Sequence, residues 1–270
     1  MKNYQEIKDI IVNQLGLTDL DAYAKYEELY RPPNNKIITR EEVELLSPDN
    51  INCIDFWKVI EEVFGVDCIT NTMHENQKWT PTDCNRRNLG LARQMGALNV
   101  IDWCAQFSSQ SSILEIGTGY GCLKHYLEPK YCFNYTGVDV VPRVEGVIQT
   151  TPEGLLPDSI KDRKFFIVYS CNVFQHLSTK QRESYINTAW ELLEKGGFLI
   201  IALTLHPFQL PVSGMAEDGN LYMKHYGQFT AIPSRTDFLS FIRGRYNILT
   251  VTQRYTDDYH CLVCQPKDKE

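Results

Sequence analysis

The sequence has no apolar run that could form a membrane-spanning helix. Such a helix needs about 20 consecutive, mainly apolar residues, and no stretch of the 270-residue chain approaches this. The N-terminus also lacks the basic segment followed by an apolar segment that marks a signal peptide. These absences predict a protein that is neither embedded in a membrane nor secreted.

An excess of basic residues is missing as well. The net charge is −7, and the first 110 residues alone, with 11 basic and 17 acidic side chains, contribute −6. A protein that binds nucleic acid usually presents a basic patch that pairs with phosphates. The composition therefore argues against a DNA or RNA substrate.

The nine cysteines form no disulfide framework. They are scattered along the chain, which is typical of free thiols in a reducing compartment, and we expect a cytoplasmic protein. Cys261 and Cys264 form a lone C-x-x-C motif. Their surroundings read as a strand, in which residues three apart point to opposite faces, and we predict no metal site in this chain.

Two parts of the chain differ in pattern. Residues 1–80 contain apolar residues at helical spacing and are predicted to form a helical extension that serves as a lid, in substrate recognition or in dimerisation. Residues 81–270 form the second predicted domain. It begins with a helix from Asn85 to Phe107 and continues with short apolar strands that alternate with helices, the pattern of an α/β sheet.

The strands are predicted from short apolar runs, and the last two are close enough in sequence to pair as an antiparallel hairpin. A helix from Ser178 to Leu193 is expected between the fourth strand and the fifth. The runs are Ile113–Ile116, Tyr135–Val141, Val147–Thr150, Phe165–Cys171, Phe198–Thr204, Asn247–Gln253 and Tyr259–Val263.

Glycine recurs where the first strand ends. In ILEIGTGYG, residues 113–121, Gly117, Gly119 and Gly121 stand at alternate positions. Without a Cβ, glycine allows a tight turn and lets a ligand approach main-chain N–H groups. Asp139 ends the second strand, 22 residues after Gly117, where a carboxylate can accept both hydroxyls of a ribose. Together they predict an adenosine-containing ligand: NAD, FAD or S-adenosylmethionine.

Two details favour the last of these. The dinucleotide fingerprint G-x-G-x-x-G has its third glycine one position later than this loop. Glu115, two residues before the first glycine, would repel a pyrophosphate and would suit a ligand that carries an ammonium and a sulfonium group.

From about Asn85 to Gln265 the chain resembles the class I S-adenosylmethionine-dependent methyltransferases. The motifs LEIGTGYG, YTGVDVV, FFIVYSCNVFQHLS and LLEKGGFLIIAL carry this resemblance, in the family's order and at roughly its spacing. It implies an α/β fold: a seven-stranded, mostly parallel sheet with an antiparallel C-terminal hairpin, here joined to the helical N-terminal extension. It also implies S-adenosyl-L-methionine as cofactor, with S-adenosyl-L-homocysteine as product.

The resemblance further implies which residues bind the cofactor. Its methionine part would lie along the glycine loop, Asp139 would hold the ribose, and Val140 would pack on the adenine. The residues that end the fourth strand would face the methyl group. The expected cofactor-binding residues are Glu115, Gly117, Thr118, Gly119, Gly121, Asp139, Val140, Ser170 and Asn172.

One feature departs from the family pattern. Only Pro142–Gly146 separate the second strand from the third, whereas a parallel crossover usually needs a dozen residues or more. The helix that joins these strands in the family is therefore predicted to be missing or reduced to a turn. The family's polar contact to the adenine has no clear position here, and Thr151 and Glu153 are its candidates.

His176 follows the fourth strand and is the candidate catalytic residue. Its neutral imidazole could accept a proton from the methyl acceptor, although it could equally stabilise its own loop by a hydrogen bond. Leu205–Thr236 is the expected substrate loop, because long loops at this edge of a sheet carry specificity. Its candidate substrate-binding residues are His206, Tyr222 and His225.

These observations predict an enzyme that transfers a methyl group from S-adenosylmethionine to an O or N atom of a small molecule, or of a peptide or protein. A homodimer is a further expectation. A catalytically inactive, methyltransferase-like partner subunit is the alternative, because the second crossover is short. An NAD-dependent oxidoreductase is a third hypothesis, which the early third glycine and the C-terminal hairpin oppose.

Overall fold

The computed structural model describes residues 2–14, 55, 59, 89, 90, 92–107, 111–151, 153–174, 177, 179–205, 235–254 and 259–268. The α-helices in these ranges are Tyr4–Asp9 (α1), Ala97–Phe107 (α2), Cys122–Leu127 (α3), Thr179–Leu192 (α4) and Arg235–Arg245 (α5). The strands are Ser112–Ile116 (β1), Asn134–Asp139 (β2), Ile148–Gln149 (β3), Phe165–Cys171 (β4), Leu193–Thr204 (β5), Tyr246–Arg254 (β6) and Tyr259–Pro266 (β7).

All seven strands form one sheet in the order β3-β2-β1-β4-β5-β7-β6. Strands β1 to β5 pair in parallel, whereas β7 is antiparallel to both β5 and β6. This confirms the predicted seven-stranded, mostly parallel sheet with its antiparallel C-terminal hairpin. The strand order reverses between β1 and β4, and ligands of open α/β sheets bind at the carboxyl ends of strands at such a point.

Alternate residues of the strands enter two separate hydrophobic cores. Leu114, Ile116 and Val168 pack on the face that carries α4 and α5, whereas Ile113 and Ile167 pack on the face that carries α2 and α3. A strand alternates its side chains with a period of two, so apolar residues at consecutive positions are buried on both faces. The sheet is therefore the middle layer of three, and its carboxyl edge remains for a site.

Several predicted boundaries agree with the structure and two do not. Strand β4 has the predicted bounds, and α4 differs from its prediction by one residue at each end. Strand β5 begins five residues earlier than predicted, at Leu193, which pairs with Phe165 before a register irregularity. The helix predicted from Asn85 to Phe107 is interrupted, because Gly96 has a φ of 82°, and α2 begins only after it.

The short connection between β2 and β3 contains no helix, as predicted; residues 140–147 are bends and a turn. Strand β3 has only two residues, and they pair with Val138 and Asp139, the last two residues of β2. A strand rises about 3.3 Å per residue. To run parallel to β2, the chain therefore has to go back along β2 only by the length of about two residues. The eight residues 140–147 are enough for this.

The N-terminal extension is described only in part. Helix α1 begins with a capping box, in which Asn3 Oδ1 accepts from the Glu6 N–H at 3.1 Å and Glu6 accepts from the Asn3 N–H at 2.7 Å. Asp55 and Val59, within the predicted helical extension, are helical. The remaining predicted helices of residues 1–80 lie outside the described residues, so this domain boundary stays a prediction. No helix in the described ranges is long and apolar enough to cross a bilayer.

Candidate functional site

The glycine loop leaves the carboxyl end of β1 and opens α3. Gly117, Gly119 and Gly121 have φ values of 75°, 50° and 70°, a left-handed conformation that residues with a Cβ rarely adopt. The Gly117 N–H donates to the carbonyl of Val138 at 2.8 Å, and the Gly121 N–H donates to that of Thr118 at 2.8 Å. These hydrogen bonds hold the loop against the end of β2 in one conformation.

The space against this bare backbone differs from one glycine to the next. A Cβ at Gly117 would overlap the Val173 side chain, and one at Gly121 would lie 3.1 Å from Val144 Cγ2. A Cβ at Gly119 would meet no atom of the described residues within 4 Å. The loop therefore serves two purposes: close packing of two valines at its ends, and open space at Gly119 into which a ligand can reach.

Asp139 joins the end of β2 to the glycine loop. Its Oδ2 accepts the Gly119 N–H at 2.8 Å and its Oδ1 accepts the Val141 N–H at 3.0 Å, and the Thr118 hydroxyl lies 3.5 Å from Oδ2. Burial raises the pKa of this carboxyl, although the two N–H donors and Arg143 oppose the rise. A carboxylate has about four lone-pair sites, and the two N–H groups and the Thr118 hydroxyl occupy three of them, so Oδ1 can still accept one hydroxyl of a ribose.

Glu115 lies in β1 and is only 2% exposed. Its carboxyl accepts a hydrogen bond from the hydroxyl of Tyr135 on β2. Burial and, to a smaller extent, the nearby charge of Asp139 outweigh the effect of that hydrogen bond and raise the pKa of Glu115 to about 8. The protonated form is therefore strongly favoured relative to an ordinary glutamate, because a buried carboxylate without a cation is costly.

The carboxyl end of β4 has one strained residue. Asn172 has a φ of 61°, and its N–H donates to the carbonyl of Ala202 on β5 at 2.9 Å. It is the only non-glycine residue with positive φ in the described part of the chain. Strain of this kind often accompanies a functional site. Ser170, two residues before Asn172, is buried, and its hydroxyl donates to the carbonyl of Ile116 at 3.1 Å, which links β4 to β1.

Thr150, directly after β3, adds a polar group to the site that the sequence did not single out. The Thr150 hydroxyl is buried and has no hydrogen-bond partner among the described residues, while its N–H donates to the Asp139 carbonyl at 3.0 Å. Thr151, a sequence candidate for the adenine contact, accepts the Leu155 N–H at 3.2 Å and stabilises its own turn. Glu153 is exposed. Val140 is half-buried beside Asp139, and its carbonyl accepts from Gln149 at 3.0 Å.

The structure thus brings the predicted cofactor-binding residues together at one edge of the sheet. The candidate catalytic His176 and the candidate substrate residues His206, Tyr222 and His225 lie outside the described residues. The sequence did not single out Tyr135, Val144 or Val173 for this site, since each contacts a residue far from it in the sequence. Cys261 and Cys264 lie in β7 and enter opposite cores. Within the ranges described, no three His, Cys, Asp or Glu residues cluster closely enough to hold a metal ion.

Comparison with known proteins finds one family model that matches the part of the chain that contains this edge of the sheet. Residues 114–201 match the family model described as "Methyltransferase domain". A search of curated proteins finds no match.

Three solved structures with a similar fold are from microorganisms. A protein from Pyrococcus horikoshii is 14% identical over 62% of this chain and 88% of that chain, with a TM-score of 0.47. An S-adenosylmethionine-dependent methyltransferase from Clostridium acetobutylicum is 16% identical over 63% and 89%, with a TM-score of 0.43. The 1,6-didemethyltoxoflavin-N1-methyltransferase of Burkholderia thailandensis, solved with S-adenosylhomocysteine, is 16% identical over 66% and 77%, with a TM-score of 0.44.

The matched segment contains the glycine loop, Asp139 and β4, so this part of the chain is similar to a methyltransferase domain.

Proposed function

We propose that this chain is an active enzyme that binds S-adenosylmethionine at the glycine loop and transfers its methyl group to an O or N atom. The acceptor is a small molecule, with a peptide or protein as the second choice. The observation that carries the proposal is the contact between Asp139 and the Gly119 N–H at 2.8 Å. It joins a ribose-binding carboxylate to the open part of the loop, one strand away from the strained end of β4.

The residues at this edge fit the cofactor. Asp139 Oδ1 retains acceptor capacity for a ribose hydroxyl, and an added Cβ at Gly119 would contact none of the described residues within 4 Å, which leaves room for a ligand there. Thr150 offers a buried hydroxyl that no described residue binds, next to the main-chain hydrogen bond with Asp139. We assign it, rather than Thr151, as the polar contact near the adenine, because a buried polar group without a partner is costly and a ligand would satisfy it.

When bound, the cofactor would supply an electrophilic methyl carbon on a sulfonium: a lone pair of the acceptor would bond to that carbon in line as the carbon–sulfur bond breaks, and the neutral thioether would leave. The contribution of the protein is then mainly positioning and exclusion of water. The hydrogen bond from Ser170 to Ile116 fixes the ends of β4 and β1 relative to each other. Asn172, held by Ala202, turns the chain at the end of β4. Val144 and Val173 supply apolar surface on either side of the loop.

A partner subunit without activity is the second candidate. The packing of Val173 on Gly117 favours it, because a protein side chain already fills the space beside this loop glycine. In such a subunit the glycine loop would only pack against neighbouring side chains and would bind no ligand. The two candidates differ in whether the chain binds the adenosyl ligands at all.

Thermal unfolding in the presence of S-adenosylmethionine, S-adenosylhomocysteine or NAD is the first test. A ligand at about a hundredfold over its dissociation constant stabilises by roughly 2.7 kcal/mol, which corresponds to a rise in Tm of roughly 2–4 °C for a chain of this size. We expect this rise with both adenosyl ligands and none with NAD. Asp139→Asn should reduce it, and Asp158→Asn, on an exposed single turn, should not. Absence of a rise with wild-type protein would contradict the enzyme and favour the partner subunit.

The acceptor class is then tested with S-adenosylmethionine labelled in its methyl group. The enzyme is incubated with a cell extract separated into small molecules and macromolecules. Label in the first fraction supports a metabolite, and label in the second supports a peptide or protein. Label in neither fraction, from protein that binds the cofactor, would contradict methyl transfer to both classes.

A further inference from the structure

The buried carboxyl of Glu115 faces polar groups on three elements, and none of them is basic. Tyr135 and Asp139 come from β2, Cys122 from α3, and Tyr169 and Cys171 from β4. Among the described residues no lysine, arginine or histidine forms an ion pair with Glu115. A negative charge at this position therefore has no compensating partner within that part of the protein.

This group lies directly beneath the glycine loop. In the pairing of β1 and β2, Gly137 is opposite Glu115. A Cβ at Gly137 would lie 2.8 Å from the Tyr135 hydroxyl and 2.5 Å from Thr118 Cγ2. The hydroxyl that binds Glu115 is thus next to the loop residue Thr118. The next residue is Gly119, where an added Cβ would contact none of the described residues within 4 Å.

The surroundings of Glu115 lack a positive charge among the described residues, and S-adenosylmethionine would supply one, since the cofactor carries an ammonium and a sulfonium group but only one carboxylate. An opposite charge within a few ångströms favours the ionised form of a carboxyl group. Building on the proposed function, we propose that Tyr135 is a positioning residue that holds the Glu115 carboxyl beneath the loop, and that binding of the cationic cofactor releases the proton of this carboxyl to solvent. The O–H bond of Glu115 breaks, the carboxylate stays beside the ligand, and the proton passes to the buffer.

This coupling gives cofactor affinity a definite pH dependence. The pKa of Glu115 without cofactor is raised to about 8, so nearly every molecule at pH 7 has a proton to lose. Below that pKa the affinity should rise by up to tenfold per pH unit, and above it the affinity should level off. The Tyr135 hydrogen bond favours the carboxylate and lowers this pKa. Tyr135→Phe should therefore move the plateau to higher pH, an effect that a purely structural role would not produce.

Isothermal titration calorimetry tests the proposal directly. S-adenosylmethionine is titrated at pH 7 in buffers with different ionisation enthalpies, which gives the number of protons released, and the affinity is then measured from pH 6 to 9. Wild-type protein should release close to one proton more than Glu115→Gln, whose amide can still accept from Tyr135. The difference between the two cancels any proton that comes from the ligand's own amino group.

Tyr131→Phe is the matched control. Tyr131 also donates to a carboxyl group, that of Asp102 in α2, at 2.8 Å. We expect the control to keep the proton count and pH profile of the wild type, and Tyr135→Phe to shift the profile. Equal proton counts for wild type and Glu115→Gln, or an unchanged profile for Tyr135→Phe, would overturn the coupling and leave the proposed function intact. No binding heat with either adenosyl ligand, by contrast, would overturn both.

Discussion

Gly137 on β2 lies directly opposite Glu115 on β1, and its missing side chain leaves the space in which the Tyr135 hydroxyl reaches the Glu115 carboxyl. Tyr135 and Gly137 are two positions apart on one strand and therefore share a face. A side chain at position 137 would stand between the tyrosine and the loop residue Thr118. This glycine is needed for close approach and not for an unusual φ.

Gly137→Ala should therefore disturb both stability and the cofactor site. The added Cβ would lie 2.5 Å from Thr118 Cγ2, so the neighbours must shift, and overpacking of this kind costs about 1–3 kcal/mol. Urea unfolding measures the loss, and calorimetry measures the weaker binding of S-adenosylhomocysteine. The double variant Gly137→Ala with Thr118→Ser removes the nearest methyl group and should recover part of the loss.

Gly244→Ala is the matched control for that substitution. Gly244 lies in α5, and a Cβ there would meet nothing within 4 Å. Alanine is favoured over glycine in a helix by up to about 1 kcal/mol, so this variant should be slightly more stable and bind ligand normally. A Gly137→Ala variant as stable as the Gly244→Ala variant would refute the steric argument.

Stability should fall with rising pH because of Glu115. Its pKa in the folded protein, about 8, lies above its ordinary value of 4.5. Its contribution to stability is therefore fully present below about pH 4.5 and is lost as the pH rises through 8. Glu115→Gln has no such proton to lose. Between pH 5 and 8 the wild type should therefore lose a few kcal/mol of unfolding free energy relative to the variant, on the order of what the pKa shift of Glu115 corresponds to.

The measurement is urea unfolding of both proteins at several pH values. Asp139 and other groups titrate in both, so only the difference between the two curves reports on Glu115. Curves that stay parallel from pH 5 to 8 would mean that Glu115 is ionised in the folded protein at ordinary pH.

The parts of the site that the sequence predicts are local ones. The glycine loop directly follows an apolar run, and Asp139 directly ends another, so strand prediction alone is enough to bring them to the same edge of the sheet. The bounds of β4 could be predicted because Phe165–Cys171 is a short run of apolar and small residues. These features need no knowledge of which strands are neighbours.

Contacts between strands could not be predicted in the same way. The Tyr135–Glu115 hydrogen bond depends on the register that places Gly137 opposite Glu115, and a shift of one residue would turn Tyr135 to the other face. The packing of Val173 on Gly117 joins the end of β4 to the loop after β1, over 56 residues of sequence. The break at Gly96 is also missed, because one glycine is tolerated in many helices.

The loop glycines should separate into two classes when replaced by alanine. Gly119→Ala meets no neighbour, so its cost is the left-handed φ alone, about 1–2 kcal/mol. Its Cβ nevertheless enters the space assigned to the cofactor, and binding should fall more than stability. Gly117→Ala pays for both the positive φ and the overlap with Val173, and it should be the less stable of the two.

A double-mutant cycle separates these terms. Val173→Ala in the Gly117→Ala background should remove the overlap but not the backbone strain, which predicts a coupling energy of about 0.5–3 kcal/mol between the two positions. The same cycle with Gly119→Ala should give a coupling near zero. Equal couplings in the two cycles would contradict the packing of Val173 on Gly117.

Asn172 allows the role of a side chain to be separated from that of the backbone. Its φ of 61° suits glycine and is tolerated by asparagine, but it is unfavourable for a β-branched residue. Asn172→Gly should therefore keep the free energy of unfolding within about 1 kcal/mol of the wild type, whereas Asn172→Val should lose about 1–3 kcal/mol. If the side chain faces the methyl donor, as the resemblance implies, the glycine variant should still bind S-adenosylmethionine more weakly. Urea unfolding and calorimetry on the same two variants decide this: a glycine variant with wild-type affinity would mean that position 172 serves the turn after β4 and not the cofactor.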